Sequence, residues 1–392
     1  MSENITSKVA LVRCDSYEQD KVDAAVRKAV ELLGGLEEID ITKESRLVLK
    51  PNLLAKNPPE KACTTHPAVF AAVVKLLQDE GYTNLKYGDS PGNPIAKPEN
   101  IAADCGLKEA ADRLGVPFGN FEDGVEVDFP AGKVADKFII CREVVDADGI
   151  INVCKMKTHQ LVRVTGAVKN TFGCVYGINK ASSHAKFSAV ENFAGMLADL
   201  NVLVRPKLHV MDGIVAMEGN GPQNGTPKHM GMILVSTDPV AIDGLFCHLV
   251  DLKPELVPTN VAAMEQGVGT YENVTVVTEE GEITVKEAAE KFGDKEFNVQ
   301  RGREYKGKLQ AVRFLVPFLQ KKPVVKESKC IGCGICVDSC PVDGKAIHVD
   351  GTAHYDYDKC IKCYCCQEMC PEDAITVKKS LLARIADRKW RV

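Results

Sequence analysis

The sequence predicts an α/β body with a mostly parallel sheet and helices on both faces, followed by a small C-terminal α+β unit organised by cysteines. Three observations predict it. Strand-like apolar runs alternate with helical ones from Lys8 to Val250. Polar, glycine-bearing stretches follow several of those strands, at the carboxyl ends where ligands bind in such folds. Eight cysteines are gathered into two runs near the C-terminus. At 392 residues the chain suits two or three domains. Setting the cysteine runs aside leaves about 320 residues, enough for a substantial core.

The elements follow in order. Lys8–Cys14 reads as a strand. Asp20–Leu33 carries apolar residues at helical spacing (Val22, Ala25, Val26, Ala29, Val30, Leu33) and ends at Gly34-Gly35. Arg46–Leu49 is a buried strand that enters Lys50-Pro51-Asn52. Pro67–Glu80 is a helix with proline in its first turn, stopped by Gly81. Asn84–Tyr87 is a strand that runs into Gly88-Asp89-Ser90-Pro91-Gly92. Leu107–Leu114 is helical. Gly149–Val153 is a strand that enters Cys154-Lys155-Met156-Lys157-Thr158-His159. Ala189–Leu203 and Pro239–Val250 are helices, with strands at Lys207–Met211 and Met230–Ser236 between them. Ser236-Thr237-Asp238-Pro239 has the pattern of a helix N-cap.

The cysteines read Cys330-x₂-Cys333-x₂-Cys336-x₃-Cys340-Pro341 and Cys360-x₂-Cys363-x₂-Cys366-x₃-Cys370-Pro371. This is the run that holds [4Fe–4S] clusters, in which the fourth cysteine serves the other cluster. Cys330, Cys333, Cys336 and Cys370 are therefore expected on one cluster, and Cys360, Cys363, Cys366 and Cys340 on the second. Zinc ribbons also use Cys-x₂-Cys pairs, but in two pairs; here each run has four cysteines and a closing proline. Cys365 breaks no spacing and is read as a non-ligand. The segment Lys329–Thr376 resembles a bacterial two-cluster ferredoxin. That resemblance implies a ferredoxin-like fold, single-electron transfer and a redox partner protein.

Composition limits the remaining possibilities. A net charge of −5 gives no reason to expect nucleic acid. Met1–Val9 lacks an apolar leader, and no run of about 18 apolar residues suits a transmembrane helix. Sixteen cysteines without a leader suggest a reducing compartment, so disulfides are not expected. The expectation is a soluble, cytoplasmic protein of an anaerobe, with a homodimer compatible. Domain limits are read as a body over 1–314, a hinge over 315–326, the cluster unit over 327–377 and a basic amphipathic tail over 378–392.

Within the body, Cys154 to Lys186 is the densest polar stretch. Lys155, Lys157, His159, Lys169, Asn170, Lys180 and His184 are interleaved there with Gly166, Gly173 and Gly177. Cations on glycine-bearing loops at strand ends suit an anionic small molecule; ordinary surface lysines are the bland alternative. Lys50 and Asn52 join this set as ligand contacts. Cys174, among several cations, is a candidate thiol with a lowered pKa, acting as nucleophile or acid, or else a small buried residue. Asp212, Glu218 and Asn220 either position a cation or form turns. His66, His209, His229 and His248 read as structural. Neither Gly-x₄-Gly-Lys-Ser/Thr nor a Gly-x-Gly-x-x-Gly after the first strand is present, so neither a Walker-type nor a nicotinamide site is indicated.

The body also resembles the family built on domain of unknown function 362. The matching residues are Lys50-Pro-Asn52, Gly88-Asp-Ser-Pro-Gly92, Lys155-Met-Lys-Thr-His159, Thr165-Gly-Ala-Val-Lys-Asn170, Phe172-Gly-Cys174, Lys180 with His184, Met211-Asp-Gly213 through Gly219-Asn-Gly-Pro222, and Ser236-Thr-Asp-Pro-Val-Ala241 with Asp243. Tyr176 departs from the family pattern, which has proline there. The Lys–His pattern distantly resembles the nickel-pincer lactate racemases. Three functions follow as expectations. The first is a ferredoxin-fused oxidoreductase passing electrons between two clusters and an anionic substrate, or a further cofactor, in the body. In it Cys174, His159, Lys169 and His184 are the catalytic candidates, and Lys50, Asn52, Lys155, Lys157, Asn170 and Lys180 the binding ones. The second is an electron-transfer adaptor without its own chemistry. The third is an isomerase or racemase with a separate metal-organic cofactor.

Overall fold

The computed structural model describes residues 6–92, 97–177, 179–302 and 321–378. They form two compact units, divided between Val299 and Gln300. The first is built on a nine-stranded sheet. Its strands are β1 (Ser7–Arg13), β2 (Leu47–Lys50), β3 (Leu85–Tyr87), β6 (Gly149–His159), β7 (Arg163–Thr165), β8 (Leu208–Glu218), β9 (Thr226–Ser236), β10 (Val274–Thr278) and β11 (Gly281–Thr284). A separate hairpin pairs β4 (Gly124–Asp128) with β5 (Lys137–Cys141).

The order across the sheet is β11-β10-β1-β9-β8-β6-β2-β3, with β7 folded back on β6. Parallel pairing joins β8, β6, β2 and β3, and separately β1 and β10. Six strands share one direction; β7, β9 and β11 oppose it. The expected mostly parallel sheet is therefore present, with antiparallel β9 set into it.

Alternation along the strands makes two cores, because successive side chains leave opposite faces. Ala10 and Val12 of β1 join Leu47 and Leu49 of β2 and Ile151 and Val153 of β6 on one face. Helix α1 (Gln19–Glu31) closes that core with Val22, Ala25, Val26, Ala29 and Val30, a stripe at helical spacing. Helix α2 (Pro67–Asp79, 13 residues) buries the unbroken run Ala68–Val74 together with Leu76 and Leu77 beside it. On the other face, Val9 and Leu11 of β1 meet helix α9 (Pro239–Leu249). Val48 of β2 and Ile150 of β6 meet Phe193, Met196, Leu197 and Leu200 of helix α8 (Val190–Val204) there. Asp238 caps α9 by accepting from the Val240 and Ala241 amides, as its sequence pattern predicted.

Two strands are longer than the sequence suggested. Both β6 and β8 run for 11 residues, and every residue of β6 is buried. The stretch Lys155–His159, expected as a loop, is strand because its cations find partners within the fold. At Tyr176 the backbone amide donates to the Ile139 carbonyl at 2.9 Å. Proline has no amide hydrogen to make this bond, so the departure at Tyr176 adds a tie between this loop and β5.

In the second unit β12 (Lys322–Val325) pairs with β15 (Ile375–Lys378), and β13 (Ile347–Asp350) with β14 (Thr352–Tyr355). Short helices α12 (Ile335–Asp338) and α13 (Cys365–Met369) complete it. Strand β12 falls inside the segment expected as a hinge. Its four residues, with Pro323 among them, are too few to show a period. The expected basic tail lies outside the described residues beyond Lys378. Among the described residues no helix is long and apolar enough to cross a membrane.

Candidate functional site

Shared direction brings the carboxyl ends of β2, β3, β6 and β8 to one edge of the sheet. The register then sets the polar side chains against each other. Lys50 of β2 is level with Asn152 of β6, and Lys155 of β6 with Asp212 of β8. Three buried groups result.

The first is an ion pair. Lys50 Nζ lies 3.0 Å from Asp89 Oδ1 with both side chains buried, and it also donates to the Pro51 carbonyl at 2.9 Å. Asp89 Oδ2 accepts from the Leu53 amide at 2.7 Å. Gly173 closes over this pair. A Cβ there would stand 1.7 Å from Asp89 Oδ1 and 2.6 Å from Lys50 Nζ, so glycine is required by approach rather than by φ.

The second is an amide chain. Lys157 Nζ donates to Asn52 Oδ1 and to the Cys63 carbonyl, each at 2.6 Å. Asn52 Nδ2 donates to Asn170 Oδ1 at 2.9 Å, and Asn170 Nδ2 to Asn152 Oδ1 at 2.7 Å. Asn152 Nδ2 lies 2.9 Å from His209 Nδ1. Burial lowers the pKa of His209 to about 3, which keeps its ring neutral and Nδ1 able to accept.

The third centres on Asp212. It accepts from Lys155 Nζ at 2.8 Å, Tyr17 Oη at 2.9 Å and the His66 amide at 3.0 Å. The Tyr17 and His66 rings stack at 3.5 Å. Burial, then the Asp212 charge, pushes the Tyr17 phenol well up. Burial lowers His66 to about 4, and its Nδ1 caps α2 by accepting from the Ala68 amide.

These contacts change the role of several expected binders. Lys50 and Lys155 are neutralised by carboxylates in the fold, and Asn52, Asn170 and Lys157 tie loops together. His159 Nδ1 accepts from the Leu161 amide at 3.1 Å, holding the turn between β6 and β7. Of the two readings of Cys174, an activated thiol or a small buried residue, its surroundings match the second. It is fully buried, and burial outweighs the nearby Lys50 and Lys180 charges, pushing its thiol up to about 12 rather than down. Cys141 is likewise pushed up to about 11, chiefly by burial. Burial thus favours the protonated thiol at both positions.

Two lysines and a histidine ring gather around Phe172 instead. Lys169 Nζ stands 5.7 Å and Lys180 Nζ 5.9 Å from its ring centroid, and His184 meets it edge-on at 5.8 Å. His184, from helix α7 (Asn179–Lys186), also stacks on Phe193 at 4.3 Å. Lys180 is buried and donates to the Val175 carbonyl. Among the described residues no carboxylate pairs with it, and burial lowers its pKa to about 8. Sequence reasoning gave no role to Tyr17, Asn152 and Asp243. Asn152 was signalled by a lone amide in the apolar run Gly149–Val153. Asp243 accepts from the Ala167 and Val168 amides, and burial raises its pKa to about 7.

In the second unit, cysteines distant in sequence converge. Cys330, Cys333, Cys336 and Cys370 line one cavity, with Ile331, Val349, Ala353 and Ile375 as apolar wall. Four sulfurs in an apolar cavity are the donor set a [4Fe–4S] cluster needs. The Ala346 amide donates to Cys340 Sγ at 3.4 Å and the Ala374 amide to Cys370 Sγ at 3.3 Å.

Comparison with known proteins agrees with this division. The model of a family described as domain of unknown function (DUF362) matches residues 47–248, and one described as a 4Fe-4S dicluster domain matches residues 322–371. A thylakoid-associated protein of Synechocystis is 35% identical over 271 residues, covering 67% of this chain and 81% of that protein. A solved lactate racemase apoprotein from Thermoanaerobacterium thermosaccharolyticum is 14% identical with a TM-score of 0.34, covering 56% of this chain and 54% of that one. A Thermotoga maritima protein is 11% identical with a TM-score of 0.35, covering 66% and 60%. The chain thus spans little more than half the length of either solved protein.

Proposed function

The chain belongs to the domain of unknown function 362 family and carries a 4Fe–4S dicluster domain, and we propose that it is an oxidoreductase joining two clusters to an anion site in the α/β unit. One observation carries the electron-transfer part: Cys370 lines the same cavity as Cys330, Cys333 and Cys336. That arrangement supports crossed ligation, with Cys340 serving Cys360, Cys363 and Cys366 in turn. Bound there, the clusters supply one-electron storage and transfer. The protein's part is to hold them by thiolates, screen them with apolar side chains and set their potentials through hydrogen bonds.

The α/β unit contributes the cation group at Phe172. Lys180 is a buried ammonium with a carbonyl as its hydrogen-bond acceptor, a costly arrangement that an anionic ligand would offset. Lys169, half-buried at the same ring, adds a second positive charge. A lysine with a pKa of about 8 is suited to hand over a proton near neutrality as a substrate gains electrons. Lys180 replaces Cys174 as the candidate acid.

Anaerobic reconstitution tests the first part: about eight irons and eight sulfides per chain are expected, four of each per cluster. Zinc in their place would reject it. Titration with inorganic phosphate and with a small dicarboxylate tests the second. Either anion should raise the thermal midpoint of the wild type and leave Lys180→Met unmoved. Equal shifts in both proteins would reject the site.

A further inference from the structure

The second unit is a repeat with a period of 30 residues. Each cysteine of the first run has its counterpart 30 positions later, from Cys330 and Cys360 to Cys340 and Cys370. The structure repeats as well. Lys322–Val325 and Thr352–Tyr355 are equivalent strands. Gly332 and Gly334 adopt positive φ within the first run, and Lys362 and Tyr364 adopt it at the matching places in the second. Backbone amides also reach the two crossing cysteines, from Ala346 six residues beyond Cys340 and from Ala374 four residues beyond Cys370, so the repeat shifts by two residues there.

A further difference between the repeats is a contact to a cysteine of the second run. Tyr355 ends its strand with its phenol oxygen 3.0 Å from Cys366 Sγ. The matching strand ends in Val325, whose side chain has no donor. A cluster-bound Cys366 is a thiolate and carries no proton, so the phenol is the donor. Negative charge on that sulfur grows on reduction, and a hydrogen bond to it strengthens. Hydrogen bonds to the sulfurs are among the features that set cluster potentials.

We propose that the Tyr355 hydrogen bond to Cys366 makes the second-run cluster the higher in potential, so that it fills first. The step is a single electron taken from a reduced one-electron donor, which is oxidised by one electron; no bond forms or breaks. The inference rests on the two-cluster reading above. It also gives an internal direction: from the cluster of Cys330, Cys333, Cys336 and Cys370 to the cluster of Cys366.

The test is a potentiometric titration of the reconstituted full chain followed by electron paramagnetic resonance. Wild type should show two one-electron waves. Tyr355→Phe keeps the ring and removes the donor. It should lower the upper wave by about tenfold in the one-electron equilibrium, which is 59 mV, and leave the lower wave in place. No shift, an equal shift of both waves or a shift of the lower wave alone would overturn the assignment. Should Tyr355→Phe lose iron, 3-fluorotyrosine placed at position 355 keeps the contact with a stronger donor. The upper wave should then rise, and an unmoved wave would overturn the assignment. Wild-type iron well short of eight per chain would instead reject the two-cluster reading itself.

Discussion

Replacing Lys180 by methionine separates the cost of a buried charge from the loss of a contact. Burial lowers Lys180 from the usual 10.5 to about 8. Each unit is worth about 1.36 kcal/mol, so holding the ammonium charged at pH 7 costs about 3 kcal/mol. The bond to the Val175 carbonyl returns about 1 kcal/mol. Lys180→Met removes both and should be more stable than wild type by about 2 kcal/mol at pH 7. Between pH 8 and 10.5 the unfolded chain holds a proton on this lysine that the folded chain lacks. Wild-type stability from this group therefore rises across that window, and the advantage of the variant disappears. Above pH 10.5 only the lost bond remains, and the variant should be less stable by about 1 kcal/mol. Urea unfolding of both proteins, read by circular dichroism of the α/β unit at pH 7 and pH 10.5, measures the difference. A variant less stable by the same amount at both values would refute the reasoning.

Three further outcomes are expected. Gly173→Ala would drive a Cβ into the Lys50–Asp89 pair, and breaking a buried pair costs about 3–5 kcal/mol; the urea midpoint of the α/β unit should fall accordingly. Acid should loosen the same unit, because His66 and His209 have folded values of about 4 and about 3, below the usual 6.5. The unfolded chain binds more protons there, so stability falls as pH drops from 6.5 through 3, by several kcal/mol; His209→Gln should flatten that slope in an acid titration followed by circular dichroism. Asp243→Ala leaves the Ala167 and Val168 amides unbonded, at about 1–3 kcal/mol for each orphaned group; faster hydrogen exchange at those two amides would register it.

Much of this fold was legible because its strands are apolar and its helices carry regular stripes. The α1 stripe from Val22 to Val30 and the proline and glycine limits of α2 needed no tertiary information. The edge of the sheet where the site lies was legible for the same reason: polar motifs follow strands that the apolar pattern defines. What the sequence could not show was pairing. Lys155 and Lys157 read as loop cations because a single sequence does not reveal that Asp212 stands level with one and Asn52 reaches the other. The surroundings of Cys174 are hidden from the sequence for the same reason. Cations nearby in sequence suggested a low pKa, whereas depth of burial decides it. Tyr17 had no signal at all; its role comes from β1 lying two strands from β8, which only topology reveals. The cysteine runs were the opposite case, since their spacing alone encodes the donor set.

Crossed ligation would be visible in an anomalous-diffraction map of the reconstituted protein at the iron edge. Two separate iron clusters are predicted, one bonded to Cys330, Cys333, Cys336 and Cys370, the other to Cys360, Cys363, Cys366 and Cys340. A cluster bonded to the four cysteines of a single run, or single metal ions in place of clusters, would contradict it.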